Sequence, residues 1–232
     1  MSARTVKLVE IAERVLVDND QVATGVRSRL EAAGVLAVNI IAGPGAGKTS
    51  LISRTLAALG GRARVGVIEG DISGSVDTAR VLAAGAADAV QINTGGNCHL
   101  EADMIERALA DLDLSALDLL FIENVGNLVC PTHWRLGEHV KLCLVGASEG
   151  DDKPLKYPEI FAVSDVVVLN KIDLIEFVDF DHARFVESVR ALNRNAPIFE
   201  VSCRSDAGID ALAGWLQAQR KRLGEDFQCA SR

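Results

Sequence analysis

The chain has 232 residues, 49% of them hydrophobic, with 24 Lys and Arg against 32 Asp and Glu and a formal net charge of −8. That length fits a single domain able to bury a full core, and the acidic balance argues against the basic stripe of a nucleic-acid-binding surface. No apolar run is long enough to cross a bilayer, and no charged segment leads into an apolar one. A cytoplasmic protein with no nucleic-acid and no membrane partner is therefore expected.

Residues 4–33 read as helix: Val6, Val9, Ile11 and Val15, then Val22, Val26 and Leu30, recur at helical spacing. Asp18-Asn19-Asp20 interrupts them, which predicts a helical pair. This gives an N-terminal helical extension over 1–34 and a core over 35–232, packed as one globular unit. Strands are predicted at 36–41, 64–69, 89–92, 118–123, 139–146, 165–169 and 197–201, and helices at 48–59, 75–84, 99–111, 181–193 and 207–221. Runs such as Leu119-Leu120-Phe121-Ile122 and Val166-Val167-Val168-Leu169 are apolar throughout, as strands covered on both faces are. Alternation of this kind predicts an α/β fold, a mostly parallel seven-stranded sheet flanked by helices, with ligands at the carboxyl ends of its strands.

The first strand runs into Gly43-Pro44-Gly45-Ala46-Gly47-Lys48-Thr49-Ser50. Strand, glycine loop and helix in that order make a phosphate-binding loop, in which successive backbone N–H groups converge on an anion. Lys48 is expected to reach the β- and γ-phosphates and the Thr49 hydroxyl to bind Mg²⁺. One position departs from the strict pattern: Ala42 stands where the first glycine is usual. Mg²⁺ takes hard oxygen ligands and keeps several waters, so Thr49, phosphate oxygens and one or two carboxylates suffice. Asp71 and Glu123, each at a strand end, are assigned to it, with Glu69 in reserve. Asp77 either joins them or positions the attacking water. Gly126 is expected to meet the γ-phosphate through its N–H.

Asn170-Lys171-Ile172-Asp173 follows directly on the Val166–Leu169 strand. An Asp carboxylate there can accept two parallel bonds from guanine N1–H and N2–H₂, a donor pair adenine lacks. Lys171 is placed along the base face, and Asn170 braces the loop. Ser202 and Cys203, after the strand ending at Val201, are either backbone contacts to the guanine oxygen or an ordinary turn. The nucleotide expected is thus GTP or GDP.

Five cysteines, an odd number between Cys98 and Cys229, do not form a secreted disulfide framework. Cys98 and His99, with Cys130-Pro131 further on, lie in predicted loops after strands and carry the thiolate and imidazole donors of Ni²⁺ and Zn²⁺. Core or capping roles are the other reading of the same residues. His133 is a possible fourth ligand. His139 and His182 are read as metal-free, and Cys143 as core.

The segments PGAGKTS, VIEGD, TGGNCHLEADMIERAL, IENVGNLVCP, ASEGDDKPLKYPEIF and VLNKIDL together resemble the HypB family, the nickel-insertion GTPases of [NiFe]-hydrogenase maturation, SIMIBI-class P-loop GTPases. The resemblance covers residues 35 to 220. It implies that Cys98, His99 and Cys130 bind Ni²⁺ or Zn²⁺ at a subunit interface. It also implies a GTP-favoured homodimer, slow GTP hydrolysis, and nickel transfer toward the hydrogenase large subunit with a zinc-binding chaperone partner. Lys153 or Lys156 is expected near the neighbouring subunit's nucleotide. Many members carry an N-terminal cysteine motif or a histidine-rich tract. The first 97 residues here hold neither Cys nor His, so neither tight N-terminal nickel binding nor nickel storage is expected of this chain.

Cys130 lies seven residues beyond Glu123, which suggests a switch segment whose response to the γ-phosphate resets the metal site. Alternatives are a urease-accessory nickel GTPase, a nucleotide-gated binding module with incidental turnover, and a P-loop kinase. The first places its ligands as Cys-Pro-His, whereas Thr132 follows Cys130-Pro131 here.

Overall fold

The computed structural model describes residues 11–72 and 76–230. Seven strands form one sheet in the order β3-β2-β4-β1-β5-β6-β7, and every pairing is parallel. They are β1 (Leu36–Ala42), β2 (Val65–Asp71), β3 (Asp88–Asn93), β4 (Leu119–Glu123), β5 (Val140–Gly146), β6 (Val166–Asn170) and β7 (Ile198–Glu200). The helices are α1 (Ile11–Ala32), α2 (Lys48–Leu59), α3 (Val76–Ala83), α4 (Ala102–Ala108), α5 (Lys153–Lys156), α6 (Pro158–Val163), α7 (His182–Leu192) and α8 (Ile209–Ala230).

The two-residue period of β1 decides what lies on each face of the sheet. Leu36, Val38 and Ile40 join Leu51, Ile52 and Leu56 of α2 and Leu212 and Leu216 of α8 in one core cluster. Ala37 turns the other way, with Ile68 and Ile122, onto Val26 and Leu30 of α1 and Ile105 of α4. Ile41, Cys143 and Val167 meet Ile160 and Phe161 of α6 and Phe185 of α7 on that second face. Double coverage is why the strands are apolar at consecutive positions rather than at alternate ones.

Several sequence expectations need correction. α1 runs unbroken through Asp18-Asn19-Asp20, so a single helix, not a pair, occupies Ile11–Ala32; Val6 and Val9 lie outside the described residues. Asn19 is buried because its side chain joins two other segments. Its Nδ2 donates to the Arg135 carbonyl at 2.9 Å, and its Oδ1 accepts the Ala102 N–H at 2.8 Å. A polar residue that reads as a break is therefore the tie that satisfies a free donor in the first turn of α4. α4 is shorter than the predicted 99–111, which leaves Cys98 and His99 in a loop. α5 and α6 were not foreseen; each begins beside a proline, which pre-sets φ for the first helical turn.

Candidate functional site

The loop between β1 and α2 works because two of its glycines take positive φ, +77° at Gly45 and +103° at Gly47. A Cβ on Gly47 would stand 2.6 Å from Asn170 Nδ2. No side chain caps α2, so its first N–H groups point into the loop, the arrangement that takes a phosphate. Ala42 is the last, fully buried residue of β1. The missing first glycine thus falls in regular strand, where a methyl costs nothing.

On one side of this loop lies a cavity of about 330 Å³ lined by Gly47 and Ser50 together with Asn170, Lys171, Asp173, Leu174, Cys203 and Arg204. Asn170 donates to the Ala46 carbonyl at 2.9 Å and accepts the Cys203 N–H at 3.3 Å, joining three loops. Lys171 takes a left-handed φ of +61°, and its Nζ donates to the Gly45 carbonyl at 2.7 Å. The Asp173 carboxylate accepts from the buried Ser202 hydroxyl at 2.6 Å, which fixes its orientation.

On the other side a cavity of about 230 Å³ is lined by Lys48, Glu69, Asp71, Asp77, Glu123 and Gly126. Sheet register sets Glu69 of β2 directly beside Glu123 of β4. Thr49 Oγ1 donates to Glu123 Oε1 at 3.1 Å, and Lys48 Nζ lies 3.9 Å from the same oxygen. Burial, reinforced by the Glu123 charge, pushes Glu69 up to about 9. Burial also raises Glu123, against the pull of Lys48. Glu69 Oε1 and Glu123 Oε2 are buried without a hydrogen-bond partner. Two orphaned carboxylate oxygens beside a threonine hydroxyl are a donor set that fits Mg²⁺. Glu69, held in reserve on sequence grounds, is thus better placed toward Glu123 than the exposed Asp71, which sits at the cavity rim. Asp77 pairs with Arg80 at 3.2 Å.

The third group lies beyond β3 and β4. One donor atom from each of Cys98, His99 and Cys130 falls within 4.8 Å of the others. The His99 Nδ1 faces the Cys98 sulfur at 3.7 Å, while Nε2 lies 3.6 Å from Glu101 Oε1. The His99 ring stacks on Trp134, centroids 4.4 Å apart and planes 29° from parallel. The bond to Cys130 and burial raise the Cys98 thiol, and burial lowers the imidazole. Since the thiolate is the binding form, a divalent ion entering the pocket displaces the Cys98 proton. Two thiols and an imidazole suit a borderline-soft cation such as Ni²⁺ or Zn²⁺.

His133 is not part of this group; its Nε2 pairs with Glu159 at 3.0 Å. His139 accepts the Ala37 N–H through Nδ1 just before β5, and burial depresses it to about 3. His182 pairs with Glu200 at 2.7 Å, and Cys143 is wholly buried. Lys153 lies over its own Tyr157 ring, and Lys156 pairs with Asp152 at 2.6 Å. Sequence reasoning passed over Trp134 and the buried Asn39 and Asn124. A lone aromatic and two asparagines carry no motif, and only the fold brings them to the site.

Residues 37–200 match the family model of the CobW/HypB/UreG nucleotide-binding domain. The chain is 44% identical, over 92% of its own length and 70% of the relative's, to the hydrogenase maturation factor HypB of Azotobacter vinelandii. The crystal structure of HypB from Archaeoglobus fulgidus superposes with a TM-score of 0.82 at 38% identity, covering 88% of this chain and 99% of that one. HypB from Helicobacter pylori, crystallised in complex with nickel, superposes with a TM-score of 0.84 at 35% identity, covering 88% and 96%.

Proposed function

Because the chain belongs to the HypB hydrogenase-maturation branch of the CobW/HypB/UreG family, we propose that it is a GTP-hydrolysing metallochaperone delivering nickel for [NiFe]-hydrogenase assembly. Lys48, Thr49 and the Gly43–Ser50 backbone hold the phosphates. Asn170, Lys171 and Asp173, with Ser202 and Cys203, hold guanine. Thr49 and Glu123, joined by Glu69 or Asp71, hold Mg²⁺, and Gly126 reads the γ-phosphate. Cys98, His99 and Cys130 take the nickel or zinc cargo. The observation that carries the reading is the convergence of those three donors at the far end of the segment that begins at Glu123. One short stretch of chain thereby touches both ligands, so nucleotide state alters donor spacing and metal affinity.

Three donors per chain leave a tetrahedral shell open. A two-fold assembly favoured by GTP completes it with a thiolate from each side. Delivery requires acceptors: a zinc-binding chaperone and the hydrogenase large subunit, in the cytoplasm. The test is Ni²⁺ and Zn²⁺ titration of wild type and a Cys98→Ala/Cys130→Ala variant, with GDP and with a non-hydrolysable GTP analogue, alongside light scattering. Loss of binding in the variant, and nucleotide-dependent affinity and mass in wild type, are expected. Equal affinity in both nucleotide states refutes the gating.

A further inference from the structure

Two asparagines between Glu123 and Cys130 reach across to the loop that carries the other two donors. Asn124 is fully buried. Its Oδ1 accepts from the Leu100 N–H at 3.2 Å, the residue after His99, and from its neighbour Val125 at 3.0 Å. Its Nδ2 donates at 3.2 Å to Asn39, in the strand that feeds the phosphate loop, and the Asn124 N–H donates to the Ile40 carbonyl at 3.1 Å. Asn39 in turn donates to Glu138 at 3.3 Å. Asn127 Nδ2 donates to the Cys98 carbonyl at 3.4 Å, while its Oδ1 accepts the Val129 N–H at 2.9 Å.

The Cys98–Leu100 backbone is therefore held to the Glu123–Cys130 segment at two points, one on each side of Gly126. A Cβ on Gly126 would lie 3.1 Å from Pro44 of the phosphate loop. Any nucleotide-driven shift at Gly126 or Glu123 must move both ties or break them. Asn124 is a buried amide, and leaving it unpaired is costlier than moving the loop it holds.

We propose that Asn124 and Asn127 are positioning residues that transmit nucleotide state to the spacing of Cys98 and His99 against Cys130. This rests on the gated reading of the site given above. Neither side chain is one of the three donors, so the signature of the role is the ratio of metal affinities between nucleotide states rather than affinity itself.

The experiment is Ni²⁺ titration with Mg²⁺ and either GDP or a non-hydrolysable GTP analogue, on wild type, Asn124→Ala and Asn127→Asp. Asn127→Asp keeps the acceptor for Val129 and removes only the cross-loop donor. Its added charge acts in both nucleotide states, which leaves the ratio as the readout. Couplings of this kind are about 5- to 150-fold. The ratio is expected to fall toward unity in both variants while each still binds nickel. A structural role alone would weaken binding in both states and leave the ratio intact, which overturns the proposal. If Asn124→Ala fails to fold, Asn127→Asp alone decides, since its side chain lies at the surface. A wild-type ratio of one overturns the gated reading and this inference with it; a wild-type ratio retained in the variants overturns the inference alone.

Discussion

Glu69 offers the most exacting test of the electrostatics. In the folded protein its carboxyl is raised from 4.5 to about 9 by burial and by the neighbouring Glu123 charge. The unfolded chain releases that proton near the ordinary value, so the fold holds more protons than the unfolded state between those limits. Stability from this group is intact below about pH 4.5, declines as pH rises, and levels off above about pH 9. Each pH unit inside the window costs about 1.4 kcal/mol, a ceiling of about 6 kcal/mol for the whole span. At about pH 8 the ceiling is about 5 kcal/mol, and water reaching the cavity lowers it. Glu69→Gln preserves the shape and removes the ionisation. Urea unfolding of nucleotide-free and Mg²⁺-free protein, from about pH 5 to about pH 8, should show the variant gaining on wild type as pH rises. Equal slopes for the two proteins would refute the assignment. Mg²⁺ with nucleotide should reverse the order, because the cation stabilises the ionised carboxylate that burial disfavours.

Three further outcomes follow from the geometry. Asp173→Asn should lower GTP affinity at least about tenfold and raise xanthosine triphosphate affinity relative to it, since the bidentate acceptor becomes a donor; competition binding reads this. Gly47→Ala should abolish nucleotide binding while the protein stays folded by circular dichroism, because its Cβ would stand 2.6 Å from Asn170 Nδ2 at a φ that only glycine tolerates. Trp134→Ala should weaken Ni²⁺ binding by about tenfold, whereas Trp134→Phe retains the stack on His99 and most of the affinity. Isothermal titration of both separates lost stacking from general damage; equal losses would refute the positioning role.

The sheet was legible because its signal is local. Apolar strand runs, the glycine loop and the strand-end acids each lie within a few consecutive residues, and all seven strands appear near their predicted positions. Asn170, Lys171 and Asp173 were singled out by their spacing and their place after a strand downstream of the glycine loop, and they line one cavity. What escaped depends on register or on packing between distant segments. Glu69 ranked behind Asp71 until the β2–β4 register set it beside Glu123. Asn19 read as a helix break, yet it supplies a donor and an acceptor to residues more than eighty positions away. His133 looked like a ligand because it follows Cys130 closely, but its side chain turns to Glu159.

The strand order has a consequence for how such a protein can change. The residues proposed to hold guanine follow β6 and β7, at one margin of the sheet, while Cys98 and His99 follow β3, at the other margin, and Cys130 follows β4, beside the central β1. In the proposed function the two specificities therefore rest on different loops, joined through the central strands. Donors in the β3 and β4 loops can be exchanged, and the preferred cargo with them, while the base pocket keeps its hydrogen bonds. On that reading the same nucleotide-handling frame is free to carry a different ion.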